Sequence, residues 1–209
     1  MKLKLVSQNY VNFKYDFNML NILYVNCCSL INKLNLYPEF ENLIEKHNIV
    51  CFVETNTDDM DEINLPGYIL HMKNRKTNSR VKSGGIIIGY QEQFHINIEI
   101  IETECQFVLW CKISKLICSE AVILGIVYIP PEYTSYSSPD AFGQIETEYM
   151  QLIANYKNIV LFGDYNVRTA EEKDYIFLED YEFRDDLQVI YINEVCNLDI
   201  FGIPRRRTN

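Results

Sequence analysis

The stretch "VLFGDYN", Val160–Asn166, decides how this 209-residue chain is read. A run of apolar residues meets a Gly, and then an Asp and an Asn stand two apart. The run has the length and composition of a buried strand. Asp164 and Asn166 then either make the turn that ends it, since Asp and Gly are common turn residues, or stand at the mouth of a site. The pattern recurs. "LNILYVN" (Leu20–Asn26) ends in Asn26, "IVCFVE" (Ile49–Glu54) ends in Glu54, and "ILGIVYIPP" carries Tyr128 near its end. Adjacent strands present their ends on one rim of a sheet, and rims are where sites are built.

Each residue has a plainer reading when taken alone. Glu54 before Thr55 could be a strand terminus, Asn26 is uninformative by itself, and a Tyr such as Tyr128 is more often core than catalytic. Repetition at strand ends favours the joint reading. Asn26, Glu54, Asp164 and Asn166 with Tyr128 would form an oxygen-rich cluster. Hard cations such as Mg²⁺ or Mn²⁺ prefer such donors, and sulfur and imidazole are scarce among these groups. An oxygen-ligated cation beside an acid/base carboxylate and orienting amides suits phosphoester hydrolysis.

Outward from these strands the pattern continues. "YPEFENLIEKHN" has helical apolar spacing, with Pro38 near its start and Asn48 at its end. "TNTDDMDEINLPG" reads as an acidic loop, "YILHM" as a short strand and "KNRKTNSRVKSGG" as a basic loop. "GIIIGY", "FHINIEII", "QFVLWCKISKLI" and "AVILGIVYI" read as a four-strand antiparallel meander. Ser138 and Pro139 suit the N-cap and first position of a helix over "DAFGQIETEYMQLIANYK". "RDDLQVIYINEVCNLDIFG" reads as a further helix. The order β-α-β, several antiparallel strands, then α-β predicts an α/β sandwich of two packed mixed sheets with helices outside. Residues 1–19 alternate polar and apolar and read as a loosely held N-terminal extension, with one domain over 20–209.

The composition is globular, with 48% hydrophobic and 13% aromatic residues. A net charge of -10 gives no long-range attraction for nucleic acid, so binding a polyanion would need local basic patches and a divalent cation. Seven Cys without a C-x-x-C pair read as reduced, buried thiols. The three His show no zinc-ligand spacing. No signal-peptide core or membrane-length apolar run occurs, so the expectation is an intracellular protein, nuclear or cytoplasmic, with no membrane partner.

Five pieces, in order, carry a resemblance: "LNILYVNCCSLINKL", "IVCFVET", "SGGIIIGY", "GIVYIPPE" and "LFGDYNVRT". The chain resembles the endonuclease/exonuclease/phosphatase (exonuclease III-like) family from about Leu20 onward. It looks most like the apurinic-type endonuclease domain of non-LTR (LINE-type) retrotransposons, and "RRRTN" near the end fits that group. The resemblance implies a DNase I-like four-layer sandwich and a Mg²⁺- or Mn²⁺-dependent DNA endonuclease. It implies that Glu54 binds the metal with Asn26 beside it, and that Tyr128 hydrogen-bonds the scissile phosphate. Asp164 would transfer a proton, to the leaving oxygen or from the attacking water, and Asn166 would orient nucleophile or phosphate.

Two departures stand out. Cys28 occupies a place where DNA-repair members carry an acidic residue. The family's closing Asp-bearing strand and Ser-Asp-His motif have no counterpart before Asn209, and no His follows His95. The expectation is therefore a C-terminally truncated domain: either a piece of a polyprotein with a reverse transcriptase region downstream, or a catalytically inactive remnant. For DNA contact, Arg75, Lys76 and Arg80 in the basic loop and Arg168 after the signature are the candidates, with Arg205–Arg207 in the tail. The same residues would equally make a solvated loop and tail.

Overall fold

A computed structural model describes residues 3–6, 10–15, 18–75, 82–118, 120–132, 134 and 136–166. Ten strands form two sheets. The first holds β1 (Leu3–Val6), β2 (Tyr10–Tyr15), β3 (Asn18–Asn26), β4 (Ile49–Val53), β5 (Tyr68–Lys73) and β6 (Ile86–Gln91), in the order β1-β2-β3-β4-β6-β5. The second holds β7 (Ile98–Ile101), β8 (Val108–Ile113), β9 (Val122–Tyr128) and β10 (Asn158–Asp164), in the order β10-β9-β8-β7.

Each sheet contains one parallel pair joined by helix. β3 reaches β4 through α1 (Leu30–Leu36) and α2 (Pro38–Ile44). β9 reaches β10 through α3 (Ala141–Ile153). Parallel neighbours require such a crossover, and the crossover helix covers the face it passes over. The period-2 alternation of strand side chains sorts the apolar residues into three clusters. Ile49, Cys51 and Val53 of β4 and Ile86, Ile88 and Tyr90 of β6 meet Leu109, Cys111, Leu124, Ile126 and Phe162 between the sheets. The alternate residues Val50, Phe52 and Ile87 pack under Leu30, Phe40 and Ile44 of the first helices. Val108, Trp110, Ile123 and Val127 pack under Ala141 and Ile145 of α3. The result is four layers, helix–sheet–sheet–helix, as the sequence pattern implies. Strands buried on both faces explain the continuous apolar runs.

Three local expectations are corrected. Residues 10–15, assigned to a loose extension, pair antiparallel with β3, and 3–6 pair with β2. "GIIIGY" does not join the meander: β6 lies between β4 and β5 in the first sheet, and only β7, β8 and β9 form the meander. A strand apolar on both faces is satisfied in the middle of either sheet, so its pattern cannot choose. α3 starts two residues after Pro139, with Asp140 rather than Ser138 as its N-cap, and a further short helix, α1, follows β3. The helix expected over "RDDLQVIYINEVCNLDIFG" falls outside the described residues.

Candidate active site

The parallel pairs bring the polar strand ends together. β3 and β4 end side by side, with Asn26 opposite Val53 and Glu54 next in the chain. β9 and β10 end with Asp164 opposite Tyr128. By alternation Asn26 shares the inward face with Leu20 and Ile22, Tyr128 with Leu124 and Ile126, and Asp164 with Phe162. All three therefore stand where the cleft between the sheets opens. Glu54 would by alternation face the outer helices. Its backbone turns left-handed at φ 51°, which breaks the alternation and lets its carboxylate meet the other sheet.

Two contacts cross the cleft. Asn26 Nδ2 donates to Asp164 Oδ2 at 2.7 Å, and the Tyr128 hydroxyl lies 3.5 Å from Glu54 Oε1, at the limit of a hydrogen bond. The Cys28 thiol donates to Glu54 Oε2 at 3.0 Å and lies 3.5 Å from Asn26 Oδ1. Those two oxygens thus border one place at the rim. Asn166 answers the choice between turn and site by serving the turn first. Its backbone N–H donates to Asp164 Oδ1 at 3.1 Å, and its Nδ2 donates to Ile129 O at 2.8 Å. The first bond holds the Asp164 oxygen that Asn26 does not, and the second anchors Asn166 to the segment after β9.

Glu54 is held by its backbone neighbours. Ser29 N–H donates to Glu54 O at 2.9 Å and Leu30 N–H to Thr55 O at 2.9 Å. Asn56 N–H donates to Gly84 O at 2.8 Å, and Gly84 N–H donates back to Asn56 Oδ1 at 3.0 Å. The paired glycines of "SGGIIIGY" are needed here: both have positive φ, and a Cβ at Gly85 would lie 2.4 Å from Thr55 Oγ1. Below them, Thr55, Thr57, Asn74 and Asp59 form a chain of side-chain hydrogen bonds, each 2.8 Å.

Electrostatics follow from the half-buried position. Burial chiefly, then the Glu54 charge, pushes the Tyr128 hydroxyl up to about 12, against the pull of the Arg75 guanidinium. Tyr128 is therefore a proton donor at neutral pH. Burial and then the Asp164 charge push Tyr24 well above the usual tyrosine range. Tyr24, which sequence reasoning missed, packs edge-on against Phe162 on the cleft side. Its signal was its place two residues before Asn26 on the same strand face.

The basic loop is partly resolved into roles. β5 ends at the same rim, with Lys73 opposite Ile86. Lys73 Nζ donates to the carbonyls of Thr103, Cys105 and Val108 at 2.8–3.0 Å, so it bridges the sheets. Lys82 pairs with Asp58 at 3.4 Å and with Asp61. Arg75 sits over the Tyr128 ring. Lys76, Arg80, Arg168 and Arg205–Arg207 lie outside the described residues. Among those described, no group of three or more His, Cys, Asp or Glu could hold a metal by itself, and no helix is long and apolar enough to cross a membrane. Among the described residues, six cysteines form no disulfide; five are buried and Cys28 is exposed.

No protein-family model and no curated protein matches the sequence. Solved structures do match in fold. An endonuclease/exonuclease/phosphatase family protein from Leptotrichia buccalis superposes with a TM-score of 0.51 at 14% identity, over 80% of this chain and 74% of that one. An AP endonuclease from Archaeoglobus fulgidus gives 0.50 at 17% identity, over 76% and 63%. A 3' phosphatase from Neisseria, bound to product DNA hairpin, gives 0.50 at 17%, over 77% and 63%. This chain has the DNase I-like α/β fold. It spans 63% of the length of the last two proteins. The solved structures sharing its fold include nucleases and phosphatases.

Proposed function

We propose that this chain is a divalent-metal-dependent phosphodiesterase, a DNA endonuclease of the non-LTR retrotransposon type. The observation that carries the reading is the meeting of Asn26, Glu54, Tyr128 and Asp164 at one rim through two cross-sheet contacts. The donor set fits a hard cation: the Asn26 amide nitrogen is engaged by Asp164, which turns its oxygen toward the place that Glu54 Oε2 also borders. Glu54 and Asn26 would hold Mg²⁺ or Mn²⁺, which when bound would draw negative charge from the phosphate oxygens.

The chain's own groups would do the rest. Tyr128, kept protonated, donates to a phosphate oxygen. Asp164, oriented by Asn26 on one oxygen and the Asn166 amide on the other, is placed for proton transfer. DNA is the proposed partner. The retrotransposon assignment, and with it a reverse transcriptase in the same polyprotein, rests on the ordered motifs from Leu20 to Arg168.

The test is nicking of supercoiled plasmid by the purified chain with Mg²⁺ or Mn²⁺, against EDTA and Asp164→Ala. Metal-dependent nicking that falls about a thousandfold or more in Asp164→Ala is expected. Equal behaviour of the two folded proteins would leave the inactive remnant as the reading.

A further inference from the structure

We propose that Arg75 is the phosphate clamp of this site, a guanidinium held at the cleft beside the rings of Tyr128 and Tyr136. The inference rests on the phosphoester reading of the site and gives Arg75 a role different from general attraction of DNA. Its Cζ lies 5.3 Å from the centroid of the Tyr128 ring and 5.3 Å from that of Tyr136. Tyr128 is buried in the cleft wall, and Tyr136 is 36% exposed on the loop before α3. The guanidinium thus lies within cation–π reach of one buried and one partly exposed ring.

The protein makes room for it. Gly84 has φ 67°, and a Cβ there would stand 2.6 Å from Arg75 Cζ. Nearby rings favour a guanidinium, one N–H of which engages the Tyr128 hydroxyl, and its N–H pairs match two oxygens of a phosphate. Among the described residues Arg75 has no ion-pair partner, whereas the two other described cations of this stretch are engaged: Lys73 by three carbonyls, Lys82 by Asp58 and Asp61. A phosphate approaching Glu54 and Asp164 meets two carboxylates in a chain of net charge -10. A fixed cation beside Tyr128, without an ion-pair partner among the described residues, offsets that repulsion.

The experiment measures inorganic phosphate binding to the full chain by calorimetry, without divalent metal. The proteins are the wild type, Arg75→Met, Arg75→Lys and Lys112→Met. Lys112 on β8 pairs with Glu99 on β7, and its loss removes the same charge away from the rim. Expected is a drop of about tenfold or more in Arg75→Met, a smaller drop in Arg75→Lys, and little change in Lys112→Met. Should Arg75→Met not fold, Arg75→Lys carries the comparison. Wild-type protein that binds no phosphate, Arg75 variants that bind like wild type, or an equal loss in Lys112→Met would each overturn the proposal. Because no turnover is needed, Arg75-dependent binding in a protein that fails to nick DNA would sink the endonuclease reading while leaving the clamp standing.

Discussion

The two halves of the rim are built differently. The half from the second sheet is made by strand register: Asp164 pairs with Tyr128 as the last rung of an ordinary parallel ladder. The half from the first sheet is made after the ladder has ended. Cys28, Ser29, Glu54 and Asn56 all have positive φ, at 47°, 99°, 51° and 51°. A non-glycine residue in that region costs about 1 kcal/mol or more. One half therefore depends chiefly on how closely two strands approach, with only Asn166 past its ladder at positive φ (49°), and the other on four residues held in a costly shape. The lesson is that a rim can be legible as strand ends and still owe half of its geometry to backbone no strand pattern encodes.

The largest expected effect lies in the register half. Gly163 precedes Asp164, and a Cβ there would stand 1.9 Å from Val127 O and 2.7 Å from Val127 N. All of these are backbone atoms, so the ladder itself must part. Gly163→Ala should cost about 3 kcal/mol or more in denaturant unfolding. Gly67→Ala is the matched control: its φ is 78°, and a Cβ would meet nothing within 4 Å. Its cost should be about 1 kcal/mol, from backbone conformation alone. Equal costs would mean that β10 can shift off β9 freely, and the contrast between the halves would fall.

The loop half predicts a smaller effect of opposite sign. Glu54→Asn and Glu54→Gln both remove the carboxylate and should both abolish metal-dependent nicking. Only Asn adopts the left-handed region readily. Glu54→Asn should therefore be more stable than Glu54→Gln by about 0.5–1 kcal/mol in thermal unfolding. If the two unfold together, the positive φ stores no strain, and Glu54 is held by its contacts alone.

The four layers were legible because strands buried on two faces leave long apolar runs, and each of β3, β4, β9 and β10 has one. Asn26, Glu54, Tyr128 and Asp164 were legible because each interrupts such a run at its end. Partners across long sequence distances were not. Nothing local says that Arg75 meets Tyr128 and Tyr136, which depends on how the sheets face each other, or that Cys28 reaches Glu54, which depends on which strands are neighbours and on the loops that follow them. β1 and β2 were missed because an alternating polar stretch reads the same whether it pairs or hangs free. β6 was misplaced for the reverse reason: uniform apolarity gives no face to assign.

The smallest effect separates what the register half needs from what it merely tolerates. Tyr165 lies between Asp164 and Asn166, with its ring stacked on Phe142 at 6.5 Å. Its buried hydroxyl has no hydrogen-bond partner among the described residues. A buried hydroxyl without a partner is destabilising, and the stacking survives its removal. Tyr165→Phe should be neutral or stabilising by up to about 1 kcal/mol at pH 7. The difference should widen in alkali. Burial raises the Tyr165 pKa in the folded state above its ordinary value of 10.0. As pH passes that value the unfolded chain ionises first, so the native tyrosine loses stability that phenylalanine keeps. Unfolding curves at pH 7 and pH 10.5 read both effects. A Tyr165→Phe protein less stable at pH 7 would show that the hydroxyl helps hold the turn carrying Asp164. The second half of the rim would then rely on its loop much as the first does.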